Sequence, residues 1–155
     1  MERQDFGAII DMAIAKEEEA YNFYIQLLST AESEDTRDTI RFIAAEEQQH
    51  KELLVEYREK GYDDADLTLN TIIDRKVTEQ LEAPEPASDM GIGDVYLLAA
   101  HREKKANELY LSLASIHPDG KARAILLRMA EEELKHKEKM EFLYTKVLFE
   151  RTAGT

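Results

Sequence analysis

Apolar residues recur every three or four positions along four stretches of the chain, a spacing that lines one face of an α-helix and does not suit a strand. In the first stretch, about 5–31, the stripe is Phe6, Ile10, Ala13, Ala20, Tyr24 and Leu27, with Gly7 as the only helix breaker. The second, about 35–60, carries Ile40, Ile43, Leu54 and Tyr57 and stops at Gly61, where a C-terminal glycine belongs. Ser88 and Asp89 offer caps for a third, about 89–116, which ends in the turn sequence His117-Pro118-Asp119-Gly120. The fourth runs about 120–150, with fraying expected from Thr152. Two short links and one long one, about 62–87, predict an all-α four-helix bundle: two antiparallel helical hairpins joined by a long crossover connection. Within the crossover, the segment 69–81 predicts a short outer helix that covers the core.

The two hairpins are copies of one another. Displaced by 86 residues, the stripe Phe6, Ile10, Ala13, Glu17, Ala20, Tyr24, Leu27 falls on Ile92, Tyr96, Ala99, Glu103, Ala106, Tyr110, Leu113. The stripe Ile40, Ile43, Glu47, His50, Leu54, Tyr57 falls on Leu126, Met129, Glu133, His136, Met140, Leu143. A duplicated hairpin packs as a pseudo-two-fold pair, so the repeated polar positions meet at one level of the bundle.

Those polar positions are wrong for an ordinary core. Glu17, Glu47, Glu103 and Glu133 each sit one turn from apolar residues on both sides, so helical periodicity turns them inward. An ionised carboxylate there costs several kcal/mol unless it is paired, and four together repel as well. Cations must therefore sit among them. His50 and His136 each follow a Glu by three residues, which aims carboxylate and imidazole at the same volume. One Glu from each of two helices plus Glu-x-x-His from each of the other two is the ligand set of a dinuclear carboxylate site. Four carboxylates balance two divalent ions. Glu17 and Glu103 are expected as terminal ligands, Glu47 and Glu133 as bridges, and His50 and His136 as one further ligand to each metal. Oxygen ligands with imidazole suit iron or manganese better than copper(I), and zinc fits the same site.

Other residues are read more plainly. Tyr24 and Tyr110 lie two turns beyond Glu17 and Glu103 on the same face, where each hydroxyl either hydrogen-bonds a ligand carboxylate or sits as an ordinary core tyrosine. His101 and His117 are expected at the surface. Glu18, Glu19, Glu46, Glu131 and Glu132 read as solvated flanks, although Glu46 and Glu132 also match at the repeat offset. Lys135, Lys137 and Lys139 alternate with other residues among nearby acids and read as a salt-bridged face.

Composition narrows the chemistry. The 155 residues include no cysteine, so thiolate catalysis, disulfides and iron–sulfur ligation drop out and any metal must be held by Glu, Asp or His. With 33 acidic residues against 20 basic ones, a net charge of −13, the electrostatic footprint for nucleic acid is missing. No long apolar run marks a membrane span or a signal peptide, and a single cytoplasmic domain spanning 1–155 is expected.

The segments AIAKEEEAYNFY, FIAAEEQQH, AAHREKKANELY and MAEEELKH resemble the rubrerythrin family of the ferritin-like superfamily across all four helices. In that family a ligand Glu is followed by Ala three later and Tyr seven later, a pattern that selects Glu17 over Glu18 and Glu19. The resemblance implies a ferritin-like bundle, a non-haem site of two iron ions, reduction of hydrogen peroxide in oxidative-stress defence, and a homodimer. Typical members also carry a rubredoxin domain with four cysteines, so electrons are expected here from a separate donor protein such as a rubredoxin. They offer a second Glu three residues after the third-helix ligand, where this chain has Ala106. That departure leaves dioxygen beside peroxide as the oxidant, and a ferroxidase or iron-handling protein, or a non-redox metal-binding domain, as alternative functions.

Overall fold

The structure is a computed structural model; it describes residues 3–59 and 91–153, and side chains within 7–59 and 91–150. Among the described residues there are four helices and no strand: α1 (Arg3–Leu28), α2 (Glu34–Glu59), α3 (Ile92–Ser115) and α4 (Lys121–Ala153). The Phe6 side chain, the capping pair Ser88–Asp89, the crossover 62–87 and its expected helix 69–81 lie outside the described residues. α3 therefore begins at Ile92 behind Gly91, later than the expected 89, and α4 stays helical through Ala153, beyond the expected end at 150.

Local chemistry explains the ends. Backbone groups after α1 fold back, Ser29 N–H to Gln26 O and Thr30 N–H to Leu27 O, closing the helix with tight turns. α2 starts on Ser33, whose Oγ accepts the Thr36 N–H at 3.1 Å, and Glu34 and Asp35 place negative charge on its first turn. α3 closes through Ile116 N–H to Leu113 O and His117 N–H to Ala114 O, and Gly120 O receives the first helical bond of α4 from Ala124.

Packing follows the stripes. α1 pairs with α2 and α3 with α4, while α2 and α4 bring the two hairpins together. The core divides into two apolar clusters. One joins Ile10 and Ala13 of α1 and Leu54 of α2 to Leu109 and Leu113 of α3 and Leu126 and Met129 of α4. The other joins Tyr24 and Leu27 to Ile40, Ile43, Tyr96, Ala99, Met140 and Leu143. The start of α1 thus meets the end of α3, and the start of α2 meets the end of α4, so both pairs run antiparallel. The ends of α2 and α3 that the chain must join lie at opposite ends of the bundle, as a crossover requires. The layer between the two clusters is polar.

Two expectations change here. His117 is buried, not at the surface: the α3–α4 turn folds its ring over the end of the bundle, edge-on to Tyr57 with centroids 5.5 Å apart, and Nε2 pairs with the Tyr57 hydroxyl. Lys139 does not belong to a salt-bridged face, because its Nζ sits 4.0 Å from the centre of the Phe42 ring, whereas Lys135 and Lys137 do pair with Glu131 and Glu141. His101 is exposed, as expected.

Candidate metal centre

Midway along the bundle, one side chain from each of α1 and α3 and two from each of α2 and α4 converge. Glu17, Glu47, His50, Glu103, Glu133 and His136 are each at most 4% exposed. These are the six residues that periodicity turned inward. They divide into two groups, Glu17 with Glu47, His50 and Glu133, and Glu103 with Glu47, Glu133 and His136; within each, one ligand atom per residue lies within 4.8 Å of all the others. Glu47 and Glu133 belong to both.

The atoms face a shared centre more than they face each other. His50 Nδ1 is 2.8 Å from Glu133 Oε1, and His136 Nδ1 is 3.2 Å from Glu47 Oε1. Yet both Nδ1 atoms, Glu17 Oε2, Glu47 Oε1, Glu103 Oε2 and Glu133 Oε1 are buried without an aligned hydrogen bond. Six orphaned atoms in one small volume, one from each residue, would cost several kcal/mol in an ordinary interior. A donor set of four carboxylates and two imidazoles fits two divalent first-row ions.

The outer nitrogens of the two imidazoles are fixed by neighbours from the other hairpin. His50 Nε2 donates to Glu132 Oε2 of α4 at 3.1 Å, and His136 Nε2 donates to Glu46 Oε1 of α2 at 2.8 Å. A carboxylate only accepts, so in the neutral ring the proton sits on Nε2 and Nδ1 is left to face the centre. Glu46 and Glu132 are therefore not solvated flanks; the repeat was their only mark in the sequence. The imidazole rings lie nearly parallel, 6.1 Å apart, as the pseudo-two-fold requires.

The tyrosines cross over as well. Tyr24 of α1 donates to Glu103 Oε1 of α3 at 2.6 Å, and Tyr110 of α3 donates to Glu17 Oε1 of α1. Because α1 and α3 run antiparallel, each Tyr reaches the Glu of the other copy. Replacing Tyr110 with Phe strands a buried carboxylate oxygen, so a loss of about 1–3 kcal/mol is expected in urea denaturation of the metal-free protein. A Tyr110→Phe protein as stable as the parent would show that this bond is of no consequence.

Without cations, protons compensate the charge. Burial pushes Glu17 up to about 7, with the charge of Glu47 adding to the rise. Burial first, then the charges of Glu103, Glu47 and Glu17, holds Glu133 well above the ordinary carboxylate range, and burial with Glu47 raises Glu103. Glu47 goes the other way: burial opposes its ionisation, but the close His136 and His50 imidazoles outweigh that and hold it low. Both imidazoles are raised, because the surrounding Glu residues overcome the burial that disfavours their charge. Burial, then the neighbouring Glu, keeps Tyr24 and Tyr110 protonated far above neutrality. Glu46 is lowered: partial burial opposes this, but the hydrogen bond from His136, then the contact with Glu132 and the charge of His136, prevail.

A cavity reaches the centre from one side of the bundle. α1 and α3 do not approach backbone to backbone, and a cavity of about 70 Å³ lies between them, lined by Ala13, Ala20, Ala99, Ala106, Phe23 and Arg102 among others. That volume holds a few water molecules or one small oxidant. The four alanines leave the gap, and Ala20 and Ala106 remain partly exposed at its wall. No helix among the described residues is long and apolar enough to cross a membrane.

Comparison with known proteins agrees with this geometry. The family model described as Rubrerythrin matches residues 8–91, more than half of the chain. No curated protein and no solved structure matches significantly. The matched stretch contains Glu17, Glu47 and His50, and the repeat and the packing supply Glu103, Glu133 and His136 from the second hairpin. The chain, an all-α four-helix bundle, thus belongs to the rubrerythrin family.

Proposed function

We propose that the protein is a di-iron oxidoreductase that reduces hydrogen peroxide, with electrons delivered by a separate protein such as a rubredoxin. The observation that carries this reading is the six orphaned buried atoms, divided into two groups that share Glu47 and Glu133. In it Glu17, Glu47, His50 and Glu133 would hold one ion, and Glu47, Glu103, Glu133 and His136 would hold the other. Two ferrous ions, when bound, supply the two electrons that break the O–O bond; manganese or zinc fits the same ligands, and zinc would give no redox chemistry. The balance is one peroxide, two electrons and two protons to two waters.

The protein's own groups bind, orient and exclude. Glu132 and Glu46 hold the imidazole rings in the required tautomer. Tyr24 and Tyr110 fix the terminal carboxylates and present phenolic protons beside the cavity. The cavity between α1 and α3 admits a molecule the size of peroxide, and the two apolar clusters keep bulk water from both ends of the centre.

The test is anaerobic loading with ferrous iron, then stopped-flow mixing with peroxide or dioxygen. Faster oxidation by peroxide than by dioxygen is expected, with turnover once a reduced rubredoxin is added. Equal or faster oxidation by dioxygen would favour the ferroxidase alternative, and tight binding of zinc with no iron uptake would favour a non-redox domain.

A further inference from the structure

Glu46 and Glu132 occupy the same place in the two repeats, yet their surroundings differ. One turn before Glu132 on α4, Arg128 places its Nε 3.3 Å from Glu132 Oε1. The repeat offset puts Phe42 in the corresponding place before Glu46, and Phe42 carries Lys139 over its ring. Among the described residues no Lys or Arg ion-pairs with Glu46, which bonds to His136 and lies against Glu132. The bonds differ accordingly, 2.8 Å from His136 to Glu46 against 3.1 Å from His50 to Glu132.

We infer that the two metal positions are unequal: the Glu103–His136 position takes the first ion, because Arg128 pairs with Glu132, the carboxylate behind His50, while among the described residues no Lys or Arg pairs with Glu46 behind His136. The inference rests on the metal centre proposed above. A carboxylate that accepts the Nε2 proton of an imidazole pushes electron density to Nδ1 and strengthens it as a ligand. A guanidinium on that carboxylate withdraws part of the effect. Its positive charge also lies on the side of the Glu17–His50 position and disfavours a cation there. Arg128 is 54% exposed, so solvent screens it, and the preference should be several-fold rather than hundreds-fold. The fold is symmetric at the ligands and asymmetric one layer out.

Titration of the metal-free protein with cobalt(II), followed by proton NMR, separates the positions, since the two imidazole N–H protons give distinct paramagnetically shifted exchangeable lines. At one equivalent, one line is expected at three or more times the intensity of the other, and the second grows in towards two equivalents. Glu46→Gln should move the first line and Glu132→Gln the second. Arg128→Leu, a change at a half-exposed site, should bring the intensities at one equivalent close to equal. Lines that grow together in the parent protein, or an order untouched by Arg128→Leu, would overturn the inference while leaving the metal centre standing. Failure to bind cobalt at all would remove the centre itself.

Discussion

Glu47→Ala or Glu133→Ala should empty both metal positions, whereas Glu17→Ala or Glu103→Ala should leave about one metal per chain. The asymmetry follows from membership: Glu47 and Glu133 stand in both four-residue groups, Glu17 and Glu103 in one each. Removing a shared carboxylate takes a ligand from each ion and also a negative charge that both need. Removing a terminal one leaves the far group whole. Glu47→Gln and Glu133→Gln, which keep the side-chain volume, should behave like the alanine variants and guard against a mere packing defect. Elemental analysis after reconstitution and gel filtration gives the answer, with helical content checked by circular dichroism. If Glu47→Ala retained as much metal as Glu17→Ala, the shared-carboxylate arrangement would be wrong.

Metal-free and metal-loaded protein should respond to pH with opposite slopes. In the metal-free state Glu17 rises from 4.5 to about 7, so the folded chain holds a proton that the unfolded chain releases. The stability from that proton is complete below pH 4.5 and is lost as pH climbs to about 7; at roughly 1.4 kcal/mol per pH unit it amounts to at most about 3 kcal/mol. Glu103 and Glu133, also raised, act in the same direction. Glu47 and Glu46, both lowered, contribute stability that is present above pH 4.5 and lost below it. The raised imidazoles contribute fully below pH 6.5 and lose that contribution progressively as the pH climbs above it, so they add to the decline. Stability of the metal-free protein should therefore peak in mild acid and fall towards pH 8. Metal ions must displace those same protons, so metal affinity rises over the same interval and loading releases protons. Glu17→Gln, which needs no proton, should flatten the decline and make the metal-free chain more stable than the parent at pH 8. Urea denaturation at pH 5, 7 and 8 with chelator present measures this. A parent protein whose metal-free stability increased between pH 5 and 8 would contradict it.

Periodicity located the centre before any coordinates. Glu17 stands beside Glu18 and Glu19, and the stripe, the repeat and the family pattern of Ala three later and Tyr seven later select it; burial agrees, with Glu17 enclosed, Glu18 exposed and Glu19 between. Glu46 and Glu132 show where that reasoning stops. They are adjacent to the ligands, and one step along a helix turns a residue about 100° away, onto what looks like the solvated flank. What makes them functional is a helix from the other hairpin close enough to bring an imidazole within reach. His117 was misread for the same kind of reason: a neighbouring turn sequence signals exposure, but where the turn lays the ring depends on Tyr57, sixty residues away.

Local spacing, the repeat and the cost of burying charge are enough to define the four helices, their inward faces and the six polar residues that meet inside. Only the packing settles that each Tyr reaches the Glu of the opposite hairpin, that Glu46 and Glu132 brace the imidazoles crosswise, and that, among the described residues, a cavity lies between α1 and α3. Those facts depend on which helices run antiparallel and on how closely each pair approaches. No periodicity within a single helix encodes either.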